Sequence, residues 1–324
     1  MGRRIIISFL VFLVMAIVFF VYALPNAILA YRTLYIVSHV VPIVPTWFEW
    51  GRYEVEVREV FLTSSTSTRS GPARSGARPP QIDTYFPKDK EKTSFIIFFP
   101  GFNPDGTRDT RLVNLAHSFA GAGVGVAVPD SEHIKTRTFS REDIDLIKET
   151  FHFLQDQSYV DPDRIALSGF SIAGSYILRA GSEFGDEPLF VHSLGAYYNL
   201  EELFEEVVLE KVLYKGIERS WQPDSLAKEL AAQLDTEVLQ GLSDDISPSK
   251  TLANAKTRVF LMHDRNDKLI PVEESRKIRD ALPKDISVSY SEFSLIRHVT
   301  PQAFFSLDIL KLAGQVFGMM KLLL

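Results

Sequence analysis

Apolar positions are distributed along the chain in two ways. Ile5 to Leu24 is a continuous run in which only Ser8 is clearly polar. As a helix rising about 1.5 Å per residue it reaches about 30 Å, the thickness of a bilayer core. Arg3 and Arg4 precede it, so the positive-inside bias holds the amino terminus in the cytoplasm and sends the rest of the chain across. A cleaved signal peptide competes, but its apolar core is usually about 7–15 residues. Length therefore favours an uncleaved anchor over residues 1–24. Ala27 to Phe48 is also apolar but carries Arg32, His39, Pro42 and Pro45. Residues 25–52 are expected to be an interfacial or stalk segment, with Tyr31, Tyr35, Trp47 and Trp50 at headgroup level. The alternative is a hairpin turning at Leu24-Pro25-Asn26, which leaves the remainder in the cytoplasm.

From Tyr53 onward, short apolar runs alternate with helix-period patterns, which predicts one α/β domain over residues 53–324 with a mostly parallel sheet flanked by helices. Strands are expected at Tyr53–Leu62, Gln81–Phe86, Ser94–Phe99, Val124–Val128, Arg164–Phe170, Leu189–Ala196, Arg258–Met262 and Ile286–Tyr290. Thr63 to Pro80 is a low-complexity loop whose Arg69, Arg74 and Arg78 are solvated or face anionic lipid. One helix runs through Leu112, Leu115, Ala116 and Phe119; another is opened by Ser140 and Asp143 as a capping box and buries Ile144, Ile147, Phe151 and Leu154. Leu200 to Leu242 is acidic and without a strand signal, so a helical, lid-like insertion is expected there. Thr300-Pro301 reads as the start of the last helix. That helix is apolar enough for two fates, packing on the core or seating the domain on a bilayer, and the first is the default.

Composition narrows the function. A chain of 324 residues, 46% hydrophobic and 23% charged, is neither disordered nor fibrous. Without cysteine it has no disulfide, thiol nucleophile, cysteine zinc site or iron–sulfur cluster. With 35 Lys+Arg against 41 Asp+Glu, a nucleic-acid partner is not expected. The glycines of Gly121-Ala122-Gly123-Val124-Gly125 leave a helix and enter a strand, the reverse of the dinucleotide-binding order. No metal-binding histidine motif is present either, so neither metal nor organic cofactor is expected.

Candidate chemistry lies in three places. Arg164-Ile165-Ala166-Leu167-Ser168-Gly169-Phe170-Ser171-Ile172-Ala173-Gly174 runs from a strand through a small-residue turn into a helix. His263-Asp264-Arg265-Asn266-Asp267-Lys268-Leu269-Ile270-Pro271 follows a later strand, and His298 lies after the last one. Together they resemble the α/β-hydrolase superfamily, closest in style to its esterase and dienelactone-hydrolase members: a nucleophile elbow, then an acid loop, then a histidine. Ala173 departs from the family's second elbow glycine, and Asp264 stands where glycine is usual. The resemblance implies Ser171 as nucleophile with Gly169 and Ala173 shaping the elbow, Asp267 as the acid with Asp264 as fallback, and His298 as the base. It also implies an oxyanion hole from the backbone N–H groups of Ile172 and of Phe102, in the turn Pro100-Gly101-Phe102. His133 is the other histidine in a late-loop position, and chain order selects His298. The expected activity is cleavage of an ester, thioester or amide in a small or lipid-like acyl substrate. An acyltransferase with the same triad and a catalytically silent envelope scaffold are the alternatives.

Overall fold

The computed structural model describes residues 24–41, 52–62, 79–294, 296–301 and 307–324. Its frame is an eight-stranded sheet. The strands are β1 (Val55–Phe61), β2 (Gln81–Pro87), β3 (Thr93–Phe99), β4 (Gly125–Pro129), β5 (Val160–Phe170) and β6 (Val191–Leu194). A two-stranded ribbon of β7 (Lys211–Tyr214) and β8 (Ile217–Ser220) follows. β9 (Val259–Asp264) and β10 (Val288–Phe293) complete the main sheet, and β11 (Ile296–Arg297) pairs with β12 (Thr300–Pro301) in a small hairpin. The order across the sheet is β1-β2-β4-β3-β5-β6-β9-β10; β2 pairs antiparallel with both β1 and β4, and the remaining pairs are parallel. β3 reads Thr-Ser-Phe-Ile-Ile-Phe-Phe and is buried throughout, as a strand covered on both faces must be. β1 keeps Arg58 and Glu59 exposed, which blunts the edge of the sheet.

The helices are α1 (Leu24–Val40), α2 (Thr110–Gly121), α3 (Glu132–Thr136), α4 (Glu142–Gln155), α5 (Ile172–Phe184), α6 (Leu200–Leu209), α7 (Ser225–Ala231), α8 (Thr236–Ile246), α9 (Val272–Ala281) and α10 (Asp308–Leu323). One core lies under α4, α5, α6 and α9, around Phe95, Phe151, Tyr176 and Ile278. The other lies under α1, α2 and α10, around Phe98, Phe119, Phe260 and Met320.

The structure corrects four expectations. First, the part of the expected stalk that is described, α1, belongs to the domain: Tyr35, Ile36 and Val37 are buried in the second core and the helix packs on α2 and α10. An apolar helix face buries as well against protein as against lipid, so the pattern did not separate the two. Second, the insertion contains a strand pair. Lys215 and Gly216 both have positive φ, 51° and 76°, the conformation that a two-residue hairpin turn requires. Third, Thr300-Pro301 forms β12, and the last helix begins at Asp308. α10 buries Leu312, Val316, Met319 and Leu323, the core-packing fate. Fourth, no capping box opens α4: Asp143 turns inward and accepts from Ser131 Oγ at 2.5 Å. Among the described residues no helix is long and apolar enough to cross a membrane. The anchor expected over residues 1–24 lies outside the described residues apart from Leu24, and so does the loop expected at Thr63–Pro80 apart from Pro79 and Pro80.

Candidate active site

In an open parallel sheet, ligands bind beyond the carboxyl ends of the strands where the strand order reverses. Here β4 lies on one side of β3 and β5 on the other, so the crevice opens between the ends of β3 and β5. β3 runs into Pro100-Gly101-Phe102 and β5 into Ser171. Ser171 has φ 58° and ψ −135°, a strained conformation that costs about 1–3 kcal/mol and persists only when its surroundings enforce it. The enforcement is visible in the small residues. A Cβ on Gly169 would collide with the Ala173 carbonyl oxygen and lie 2.7 Å from Ile177 Cγ1; one on Gly101 would lie 2.7 Å from Ser171 Cβ. Ala173, at the position of the expected second glycine, is itself fully buried and accommodated. Ile172 is the first residue of α5, so its N–H has no intrahelical partner and stands at the positive end of the helix dipole.

His298 projects from the two-residue turn between β11 and β12. Its Nε2 is 2.6 Å from Ser171 Oγ and its Nδ1 is 2.6 Å from Asp267 Oδ2. The second Asp267 oxygen accepts from the N–H groups of Leu269 (2.8 Å) and Ile270 (3.0 Å). Burial opposes ionisation of Asp267, yet the adjacent His298 and His263 hold its carboxyl well below the usual range. An ionised acceptor fixes the proton of His298 on Nδ1, which leaves Nε2 to accept from the Ser171 hydroxyl. Asp264 does not reach the imidazole. Its carboxylate, which burial pushes to a raised pKa, accepts from backbone N–H groups instead. His263 is completely buried, with Nε2 bound to the Ile270 carbonyl at 2.9 Å and 3.5 Å from Asp267 Oδ2, so it braces the acid loop from beneath.

The remaining histidines do not join this group. His192 is a core residue bound to Ser168 Oγ at 2.7 Å, and burial pushes its pKa down to about 3. His133 lies on α3, 3.5 Å from Asp143. Among the described residues no cluster of three or more metal-ligating side chains is present.

No protein-family model matches the chain, and no curated protein does. Solved structures do. A 2,6-dihydroxy-pseudo-oxynicotine hydrolase superposes with a TM-score of 0.58 at 13% identity, over 82% of this chain and 68% of that one. Est1E from Butyrivibrio proteoclasticus gives 0.54 at 14% identity, over 75% of this chain and 94% of that one. The chain has the α/β-hydrolase fold. A puromycin-hydrolyzing peptidase of Mycobacterium tuberculosis shares it, with a TM-score of 0.58 at 19% identity over 86% of this chain. This chain spans only 39% of that peptidase.

Within this α/β-hydrolase fold, residues 200–242 touch the site at points that sequence reasoning missed. Trp221, buried at the end of β8, donates from Nε1 to the Asp267 carbonyl at 3.0 Å, and the Asp224 N–H donates to the Lys268 carbonyl at 2.8 Å. Beside them is a cavity of about 410 Å³ lined by Asp224, Asn266, Lys268, Leu269 and His298. On the other side, Phe102 meets Phe139 edge to face at 4.9 Å, and Phe139 meets Phe204 of α6 at 5.7 Å. A lone tryptophan among acidic residues was the available signal, but nothing in its spacing named the partner.

Proposed function

We propose that the protein is a serine hydrolase that cleaves an ester, thioester or amide through an acyl-enzyme on Ser171. The observation that carries this reading is the continuous hydrogen-bonded chain from Ser171 Oγ through His298 to Asp267, both links 2.6 Å. The solved neighbours named as hydrolase and peptidase support the class. Nε2 of His298 takes the Ser171 proton as Oγ attacks the carbonyl carbon, and Asp267 stabilises the imidazolium that forms. The N–H groups of Ile172 and Phe102 stabilise the tetrahedral oxyanion. The intermediate collapses when His298 returns the proton to the leaving group, and water then repeats the sequence to free Ser171. No metal or organic cofactor enters any step. The cavity beside His298 offers room for a leaving group within reach of the imidazole that protonates it.

On sequence alone, the proposal includes a membrane tether at Ile5–Leu24; recovery of the full chain from membranes by a carbonate wash would remove it. The catalytic reading is tested by turnover of a p-nitrophenyl ester series and the matching anilides. Loss of the nucleophile is expected to lower kcat by about 10⁴-fold or more. Equal turnover by wild type and Ser171→Ala would overturn it.

A further inference from the structure

His298 stands at a positive φ, which is uncommon for a residue that carries a Cβ. It occupies the first position of the turn between β11 and β12 with φ 57°. A residue with a Cβ persists at such a φ only where neighbouring groups over-determine it. The two-residue turn itself calls for this φ, as it does at Lys215-Gly216, and the contacts to Ser171 and Asp267 act on the imidazole ring. The side chain that bonds the backbone of this turn is Asp264, the last residue of β9 and 2% exposed. Its Oδ2 accepts from the His298 N–H at 3.3 Å, and its Oδ1 accepts from the Asn266 N–H at 2.9 Å. Asn266 immediately precedes Asp267. One buried carboxylate therefore joins the turn that carries the base to the loop that carries the acid, with one oxygen on each. The same strand end is tied to β10, where the Arg265 N–H donates to the Phe293 carbonyl at 2.7 Å.

We propose that Asp264 is a positioning residue that clamps the His298 turn to the Asp267 loop, so that both imidazole nitrogens meet their partners at once. The inference rests on reading Ser171, His298 and Asp267 as the catalytic residues. In the family pattern that the chain resembles, glycine is usual at this position, and glycine has no side-chain acceptor. The clamp thus depends on the carboxylate that this chain carries there. It requires two acceptors. An amide in the same place accepts from one N–H and turns its own NH₂ toward the other.

The test measures Ser171 labelling by a fluorophosphonate, together with ester hydrolysis, in the full-length wild type, Asp264→Ala and the isosteric Asp264→Asn. Misplacement of a catalytic group by about 1 Å costs up to about 10²-fold. Both variants are expected to lose at least about tenfold in labelling rate and in kcat, with KM within about twofold because the cavity beside His298 is intact. A purely structural role would lower the melting temperature and leave the labelling rate of the folded fraction unchanged. Either variant labelling at the wild-type rate while folded overturns the clamp. Wild type that is folded and unlabelled at Ser171 overturns the catalytic reading instead, so the two failures are distinguishable.

Discussion

Replacing Gly101 with alanine tests the oxyanion side of the site while Ser171, His298 and Asp267 all keep their identity. The added Cβ would stand 2.7 Å from Ser171 Cβ, 2.8 Å from the Phe170 carbonyl oxygen and 3.3 Å from Ser171 Oγ. Carbon atoms in contact sit about 3.5–4.0 Å apart, so the Pro100–Phe102 turn and the elbow must separate by about 0.8 Å. A hydrogen bond of about 2.9 Å from the Phe102 N–H to an oxyanion then lengthens to about 3.7 Å, outside the bonding range. Loss of one such donor costs about 2.7–4 kcal/mol, or 10²–10³ in kcat. The stability cost of the overpacked contact is about 1–3 kcal/mol. For a domain of this size that lowers Tm by about 2–4 °C per kcal/mol, a shift that a melting curve reads directly. Ester hydrolysis followed by initial rates, beside a melting curve, separates the two effects. Gly101→Ala with kcat within about twofold of wild type would refute the assignment of Phe102 to the oxyanion hole.

Gly169→Ala acts on the elbow from below: its Cβ would collide with the Ala173 carbonyl and stand 2.7 Å from Ile177 Cγ1. It is expected to destabilise by about 1–3 kcal/mol and to lower Ser171 labelling; an unchanged Tm would contradict the steric account. A second prediction concerns α6, where Glu206 shares Lys277 with Glu274 (2.8 and 2.7 Å). Burial and the nearby Glu274, opposed by Lys277, push the Glu206 pKa from 4.5 up to about 8. The folded state then holds a proton that the unfolded state lacks, so this stabilisation is complete below about pH 4.5 and is lost as pH rises through about 8. Glu206→Gln should flatten the fall in Tm between pH 5 and 8.5, and identical slopes for variant and wild type would count against the shifted carboxyl.

The sheet was legible because its central strands are continuous apolar runs bounded by strong turn residues, and Ser94–Phe99 and Arg164–Phe170 are both strands. Ser171 was legible because a strand, small residues and a helix follow one another in order. His298 was chosen by chain order alone, and its hydrogen bonds could not be read from spacing. Two of the parts that were not legible share one cause: the same residue pattern serves two environments. The apolar face of α1 faces protein where the pattern allowed a membrane surface. Asp264, as a departure from the acid-loop pattern, offered a spare acid, whereas the fold uses it as a backbone acceptor. The β7–β8 hairpin is different, since Lys215-Gly216 between two short alternating runs was a usable turn signal, obscured by the acidic helices around it.

The central claim is that Ser171 is the activated nucleophile, and covalent labelling tests it most directly. The full-length folded protein is treated with a fluorophosphonate, and the adduct is located by intact mass and peptide mapping in wild type and in Ser171→Ala. The account predicts one adduct per chain, on Ser171, and none in the variant. An unlabelled folded wild type, or an adduct that persists in Ser171→Ala, would contradict it.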